Sequence, residues 1–463
     1  MQAQDRPMPK PGPAPTVNLG KPESFKLKNG LKVLVVEDHK TPRVSYTLTM
    51  DNAPYAEGSK KGVSNMLSAV IGNGTKKISK DAFNKEIDFL GARIGFWDNG
   101  ASASGLSRFS TRILELMADG ALNPLFTQEE FDKEKARMLE GLKSNEKSVP
   151  AVSSRVTEVL IYGRNHPFGE YLSEETLNNV TLNDIIENYN TYFVPGNAYL
   201  VVLGDVKTKD VKNQVEKLFG SWKPAKVPSV TYSDPKDVQY SQINFVDMPN
   251  AVQSEIAVVN VSNLKMTDKE YFATILANQI LGGDGEGRLF LNLREAHGWT
   301  YGSYSSIGGN KYVSSFGATA SVRNAVTDSA VIEMLNEIRK MRTDLVSEED
   351  LKNAKAKYIG NFVMQIEKPS TVASYALRTE TQNLPDDFYE NYIKNVNAVT
   401  PEDIRNAAQK YFKSDNSRIV IVGKAADVLP GLESRNIPVN YFDKYGKPTE
   451  KPVIDKAVPA KQF

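Results

Sequence analysis

The stretch Val180–Ile185, which reads VTLNDI, recurs 219 residues later as Val399–Ile404, which reads VTPEDI. The same shift carries the pair Tyr192-Phe193 onto the pair Tyr411-Phe412. In both copies a threonine stands three residues before an aspartate, and this pattern predicts a capped helix start. A repeat that keeps one offset is typical of a duplicated structural unit. The chain is therefore predicted to consist of two homologous halves.

Further matches extend the repeat on both sides. Downstream, Val201–Gly204 falls on Val420–Gly423 at the same offset, and both segments have the β-branched content of strands. Upstream, Leu125–Phe131 matches Leu345–Leu351 with a shift of 220. Order and spacing are thus preserved over much of each half.

Each half contains both kinds of secondary structure. Leu31–Val36 and Val44–Met50 are predicted strands, and Gly62–Ile71 is a predicted helix because its apolar residues recur at helical spacing. Thr127 and Glu130 have the spacing of a capping box at the start of a long helix. The predicted fold class is α+β: two homologous domains, each a mixed, mostly antiparallel sheet backed by helices.

Composition and the repeat set the expected boundaries. We expect a proline-rich tail at 1–23, an N-terminal domain at 24–222, a proline-bearing linker at 223–237, a C-terminal domain at 238–445 and a tail at 446–463.

Charge and residue types exclude several classes of function. The 463 residues carry 57 lysines and arginines against 56 acids, so nucleic acid is not an expected partner. The chain has no cysteine, which excludes disulfides and zinc–thiolate sites, and its histidines are His39, His166 and His297. No apolar run is long enough to predict a membrane span. The cysteine-free, tyrosine-rich composition leads us to expect a periplasmic protein, although cytosolic proteins can share it.

The segment Gly62–Thr75 reads GVSNMLSAVIGNGT. It resembles the signature helix of the pitrilysin or insulinase superfamily of zinc peptidases, which includes the mitochondrial processing peptidases. Their pattern is Gly-x-x-His-x-x-Glu-His, an apolar pair and then Gly-Thr. Here Asn65 and Ala69 stand at the two metal-binding histidines, and Ser68 stands at the general-base glutamate. A zinc peptidase needs two imidazoles one turn apart and a carboxylate that activates water, and these three side chains supply none of them.

The third metal ligand of the family is a glutamate on the long helix that follows Glu129. The charged run of that helix aligns the ligand with Gly141, whereas a one-residue slip would align it with Glu140. The resemblance therefore implies a degenerate zinc site at Asn65, Ser68, Ala69 and Gly141, and no metal or other cofactor in this chain.

A second segment matches the family positively. Gly287–Tyr301 reads GRLFLNLREAHGWTY and resembles the family segment Ser-Arg-Leu-Phe-x-x-Leu-Arg-Glu-x-x-Gly-Leu-x-Tyr. In active relatives its second arginine and its tyrosine reach the metal-bound substrate. They correspond to Arg294 and Tyr301, whose groups can donate hydrogen bonds to a carbonyl that becomes an oxyanion.

Other candidate sites have plainer interpretations. His297 is interpreted as a solvated residue at a helix end, and His166 as a structural residue of a loop. The run Gly282–Gly287 lacks the lysine and hydroxyl of a phosphate loop and carries two acids, so nucleotide binding is not expected. In the non-zinc subunit of the mitochondrial enzyme a mobile glycine-rich loop occupies this place, which leaves a substrate-handling role open.

The resemblance spans about Ser24 to Phe442 and implies the non-zinc subunit of a bacterial heterodimeric peptidase. A homologous partner would carry the zinc and hydrolyse peptides, and this chain would supply Arg294, Tyr301 and part of the chamber wall. The alternative is a non-enzymatic scaffold or peptide-binding subunit. A homodimer is also open, although a self-sufficient homodimeric peptidase conflicts with Asn65, Ser68 and Ala69.

Overall fold

Two six-stranded sheets, one in each half of the sequence, dominate the architecture in a computed structural model that describes residues 22–435 and 437–454. The predicted tails at 1–23 and 446–463 lie partly outside the described residues. No helix within the described ranges is long and apolar enough to cross a lipid bilayer.

The first sheet has the strand order β1-β2-β6-β3-β5-β4. β2 and β6 run parallel, and the other neighbours are antiparallel. Its strands are β1 (Glu23–Lys26), β2 (Lys32–Glu37), β3 (Arg43–Met50), β4 (Arg93–Trp97), β5 (Gly100–Leu106) and β6 (Ala198–Gly204).

The helices of the first half bury one face of this sheet in a core that includes Val33, Tyr46 and Leu48. These helices are α1 (Val63–Val70), α2 (Lys80–Phe89), α3 (Ser110–Leu122), α4 (Gln128–Asn145), α6 (Glu174–Asn178), α7 (Leu182–Tyr192) and α8 (Thr208–Phe219), whereas the remaining helix of this half, α5 (Val149–Tyr162), packs on the other sheet.

The second sheet has the strand order β12-β7-β11-β8-β10-β9. β12, β7 and β11 are parallel, and the remaining pairs are antiparallel. Its strands are β7 (Gln242–Asp247), β8 (Gln253–Val261), β9 (Thr300–Ile307), β10 (Ser315–Arg323), β11 (Arg418–Gly423) and β12 (Val439–Phe442).

Helices again cover one face of the second sheet. They are α9 (Tyr271–Gly282), α10 (Arg288–Phe290), α11 (Thr327–Thr343), α12 (Glu348–Ile366), α14 (Tyr392–Ala398), α15 (Pro401–Tyr411) and α16 (Ala425–Glu433), whereas the remaining helix of this half, α13 (Pro369–Thr381), packs on the first sheet. α10 continues directly into a π-helical turn at Leu291–Ala296.

The predicted fold class is confirmed: both halves are mixed, mostly antiparallel sheets backed by helices. The repeated motif lies at equivalent places, because α7 and α15 each begin with a complete capping box at Thr181 and Thr400. β6 and β11 then follow at equivalent positions in the two sheets. The edge strands differ, since β1 comes from the start of the chain and β12 from its end.

The predicted capping box at the start of α4 is only half formed. The Thr127 hydroxyl accepts a hydrogen bond from the Glu130 backbone N–H at 3.3 Å. The Glu130 carboxylate accepts instead from the Lys80 ammonium at 2.7 Å. A partner 50 residues away in sequence thus replaces the local return bond of the box.

One helix from each half packs on the sheet of the other half. α5 places Val152 and Val156 against Val259 and Val420 on the face of the second sheet that its own helices leave open. In return, α13 places Ala373 against Leu34 and Val201 of the first sheet. This exchange fixes how the two sheets lie relative to each other.

Candidate functional site

Helix α1 carries the segment for which the resemblance implies a degenerate zinc motif. Val63, Met66, Leu67 and Val70 point into the first core and are buried. Asn65 is exposed, and Ala69, one turn later, is half-buried. The helix thus presents Asn65 and Ala69, the positions that the resemblance aligns with two metal-binding histidines, away from the core.

Ser68 is hydrogen-bonded to the turn between β4 and β5. Its hydroxyl donates to an Asp98 carboxylate oxygen at 3.0 Å and accepts from the Asp98 backbone N–H at 2.9 Å. Burial raises the pKa of Asp98, although the bond from Ser68 opposes that shift. The general-base position is therefore occupied by a hydroxyl with a structural role.

The Glu57 side chain caps the N-terminus of α1. Its carboxylate accepts from the backbone N–H groups of Gly62 at 2.7 Å, Val63 at 2.9 Å and Ser64 at 3.2 Å, and it also contacts the Ser64 hydroxyl. A carboxylate is favoured here by the free N–H groups and by the helix dipole. Its side chain is only 4% exposed.

The turn that follows α1 is equally well formed. Gly74 has a φ of +86°, and a Cβ there would lie 2.7 Å from the Lys80 backbone nitrogen, so only glycine fits. Thr75 is buried, and its hydroxyl accepts from the backbone N–H groups of Lys77 and Ile78. The backbone frame of the signature segment is thus intact, although its chemical side chains are replaced.

Helix α4, which packs on α1, has no suitable third ligand at the aligned positions. Gly141 is exposed, and nothing lies within 4 Å of where its Cβ would be. Glu140 is also exposed and pairs with Lys143 at 2.8 Å. The buried carboxylate of α4 is Glu134, which lies 2.6 Å from the Arg137 guanidinium.

These residues do not fit a catalytic zinc ion. Among residues 22–435 and 437–454, no group of three histidine, cysteine, aspartate or glutamate side chains is placed to hold a metal. The three α1 side chains offer an amide, a hydroxyl and a methyl group that cannot bind metal, which is the wrong chemistry for zinc.

The segment that carries Arg294 is held in place by the core and by hydrogen bonds to α11. Leu289 and Leu293 are buried, and the Asn292 amide donates to the carboxylates of Glu333 and Glu337 on α11 at 3.0 and 2.9 Å. The Arg294 side chain on this π-helical turn is 47% exposed. π-Helical turns often mark functional sites because they re-aim a side chain.

A left-handed glycine turns the chain from this helix into β9. Gly298 has a φ of +61°, and its N–H donates to the Arg294 carbonyl at 2.9 Å, while the Trp299 N–H donates to the Leu293 carbonyl at 3.0 Å. β9 begins two residues later and carries Tyr301, which is 88% exposed. The chain thus passes from the helical segment through a glycine stop into an edge strand.

A β-bulge decides which way Tyr301 points. Ser303 pairs with Ala320 and Thr300 pairs with Val322, so β9 has one more residue than β10 between these pairs. Ala320 and Val322 are buried, so their partners occupy the core-facing side. The extra residue places Tyr301 on the outer side of the sheet, which Tyr304 also occupies.

The remaining sequence candidates have structural partners. The Lys357 ammonium contacts Asp284 and lies 3.3 Å from Glu286, which ties the glycine-rich segment to α12. His297 is exposed and stacks on Trp299 with ring centroids 4.0 Å apart. His166 is buried in the loop after α5, and its ring meets Tyr232 edge-on at 4.5 Å.

Sequence reasoning missed three residues of this region. Glu57 had a weak signal, an acid five residues before the glycine that opens α1. Asp98 and Tyr304 had none, because their positions depend on a turn and a bulge formed with residues distant in sequence.

Comparisons with known proteins agree with this geometry. Residues 179–358 match the family described as "Peptidase M16 inactive domain". A protein of Rickettsia felis named an uncharacterized zinc protease is 26% identical over 418 residues, which cover 86% of this chain and 96% of that protein. A probable inactive metalloprotease of Bacillus subtilis is 23% identical over 53% of this chain and 57% of its own length.

Solved structures show the same fold. A crystal structure titled as a peptidase M16 inactive domain from Pseudomonas fluorescens superposes with a TM-score of 0.78 at 22% identity, and the match covers 87% of this chain and 98% of that one. A protease structure from Helicobacter pylori gives a TM-score of 0.78 at 21% identity over 87% of this chain and 99% of that one.

Proposed function

Because this chain belongs to the pitrilysin-type M16 peptidase family and is catalytically incomplete, we propose that it is the non-zinc subunit of a heterodimeric peptidase. A homologous partner subunit supplies the zinc and the general base. This chain supplies Arg294, Tyr301 and part of the wall around a bound peptide. The proposed compartment is the periplasm, in line with the cysteine-free composition.

One observation carries the proposal: Arg294 and Tyr301 are both exposed at the edge of the second sheet. The segment that carries them is held in place by buried side chains. A tyrosine with 88% of its surface exposed contributes little to the stability of this fold. An anchored backbone that presents two hydrogen-bond donors outward is the arrangement expected of groups that act on a substrate.

The chemistry assigned to the two side chains is stabilisation of negative charge. During peptide hydrolysis the scissile carbonyl oxygen becomes an oxyanion, and donors fixed before the reaction lower that barrier. The Arg294 guanidinium and the Tyr301 hydroxyl would donate to this oxygen, and neither group needs to lose its proton. Their contribution would be to kcat rather than to substrate binding.

The test uses the assembled pair, obtained by co-purification with this chain carrying an affinity tag. Arg294→Ala or Tyr301→Phe should lower kcat by about 10²-fold or more, since removal of one oxyanion donor typically costs 10²–10³. Arg294→Lys should recover only part of the rate, because an ammonium lacks the planar fork of a guanidinium.

Matched controls are Arg339→Ala, which removes an exposed arginine of α11, and Tyr240→Phe, which alters an exposed tyrosine before β7. Both should leave kcat unchanged, and all variants should assemble with a partner of unchanged zinc content. A scaffold or peptide-binding subunit predicts wild-type kcat for every variant, so that result would replace this proposal with the alternative.

A further inference from the structure

Arg294 lies against the ring of Phe290, which plays no part in the proposed function so far. Its guanidinium carbon is 4.8 Å from the centroid of the Phe290 ring, four residues earlier on the same helical segment. Its charged neighbour Glu295 is 3.6 Å away and itself 58% exposed, so that ion pair is weak. A flexible, half-exposed arginine needs another contact if it is to stay in one position.

Phe290 is well placed to provide that contact. It is only 7% exposed and follows Leu289, which is buried in the core of the second half, so the backbone that carries the ring is fixed. Residues four apart on a helix lie on the same face, and the face of an aromatic ring attracts a cation. Stacking also suits the flat guanidinium better than it suits an ammonium.

Tyr304 adds a second ring beside Phe290, on β9. Its ring centroid lies 5.9 Å from that of Phe290, with the rings tilted by 42°. The tip of the Tyr304 ring lies over Gly302, where an added Cβ would be only 2.6 Å from it. The missing side chain of Gly302 therefore lets the Tyr304 ring reach toward Phe290.

We propose that Phe290 and Tyr304 are positioning residues that hold the Arg294 guanidinium for the reaction, with Gly302 leaving room for the Tyr304 ring. The inference rests on the proposed function of Arg294. The bulge places Tyr301 on the same side of β9 as Tyr304. Phe290 and Tyr304 act through Arg294 and do not contact the reacting atoms.

The experiment measures kcat and KM of the assembled pair for single and double variants. Phe290→Leu keeps an apolar side chain in the core and removes the ring face, and it should lower kcat about 3- to 10-fold with little change in KM. Phe362→Leu, which alters an equally buried phenylalanine of α12, should leave kcat unchanged.

Two further variants test the same contact without altering the core. Tyr304→Leu and Gly302→Ala should each lower kcat about 2- to 5-fold, the second by displacing the Tyr304 ring. Tyr304→Phe keeps the ring and should retain nearly wild-type kcat. Tyr240→Leu, which removes an exposed tyrosine elsewhere, should have no effect. These variants decide the question even if Phe290→Leu does not fold.

The decisive result is the coupling with Arg294. In an Arg294→Ala background, Phe290→Leu, Tyr304→Leu and Gly302→Ala should cause no further loss, because the group that they position is gone. Full additivity would overturn the positioning role and leave the proposed function intact. Wild-type kcat for Arg294→Ala alone would instead remove the proposed function, and this inference with it.

Discussion

Helix α1 in the first half and the Arg294–Tyr301 segment in the second half have both kept their backbone frames, but they have kept different chemistry. α1 retains the Glu57 cap and the Gly74 turn, yet presents Asn65 and Ala69 where a metal site needs imidazoles. The second segment retains its glycine turn and both donor side chains. The first segment therefore offers no metal ligands, whereas the second presents two exposed hydrogen-bond donors.

The largest effect that tests this comparison concerns metal. The chain purified alone should contain no stoichiometric zinc and cleave no peptide, because Asn65, Ser68 and Ala69 offer no imidazole or carboxylate. Asn65→His combined with Ala69→His should still hold no stoichiometric zinc, because α4 offers no third ligand at Gly141 or Glu140. Elemental analysis measures both. About one zinc per wild-type chain, with chelator-sensitive activity, would contradict the comparison.

A smaller effect tests whether the α1 frame depends on Glu57. Glu57→Ala should lower the free energy of unfolding by about 2 kcal/mol, because it leaves buried backbone N–H groups at the helix start without an acceptor. Chemical denaturation measures the change. Glu140→Ala is the matched control, since that exposed glutamate pairs only with Lys143 and should change stability by less than about 0.5 kcal/mol. Equal stability of both variants would show that the cap is dispensable.

The smallest effect concerns the buried His166 in the loop after α5. Burial lowers the pKa of His166, while nearby Asp234 opposes the shift. A histidine with a lowered pKa in the folded state binds fewer protons there than when unfolded, so stability falls as the pH drops below about 6.5. His166→Asn, whose amide oxygen can still accept from the Phe168 N–H, should flatten this dependence in denaturation measured from pH 5 to 8.

His39 provides a control of opposite sign. It is exposed, and its hydrogen bond to Asp205 raises its pKa, so its stabilising contribution is present at low pH and is lost as the pH rises through the folded-state value. His39→Asn should therefore leave the acid-side loss of stability in place. Persistence of that loss in His166→Asn would assign it to another group.

The sequence predicted those parts of the molecule that depend on local chemistry. The threonine–aspartate pairs at Thr181 and Thr400 predicted two helix starts correctly, because both partners of each capping box lie within four residues. Thr127 and Glu130 have similar spacing, yet the Glu130 carboxylate accepts a hydrogen bond from Lys80 instead of closing the capping box. A local pattern therefore fails where a distant residue offers a stronger partner.

The unpredicted features all depend on contacts between distant segments. The exchange of α5 and α13 between the sheets requires apolar faces whose partners lie in the other half. The bulge that orients Tyr301 forms only when β9 pairs with β10. The sequence of either strand alone does not predict it. Arg294 and Tyr301 could be named from a motif, but the surface beneath Arg294 became visible only in three dimensions.

The central claim, that this chain completes the active site of a zinc-bearing partner, is tested most directly by titration. The partner at fixed concentration is mixed with increasing amounts of this chain, either wild type or the Arg294→Ala, Tyr301→Phe double variant, and peptide turnover is measured. Wild type should raise turnover until a 1:1 ratio is reached. The double variant should assemble equally well and leave turnover at least about 10²-fold lower. Equal turnover with both chains, or full activity of the partner alone, would contradict the account.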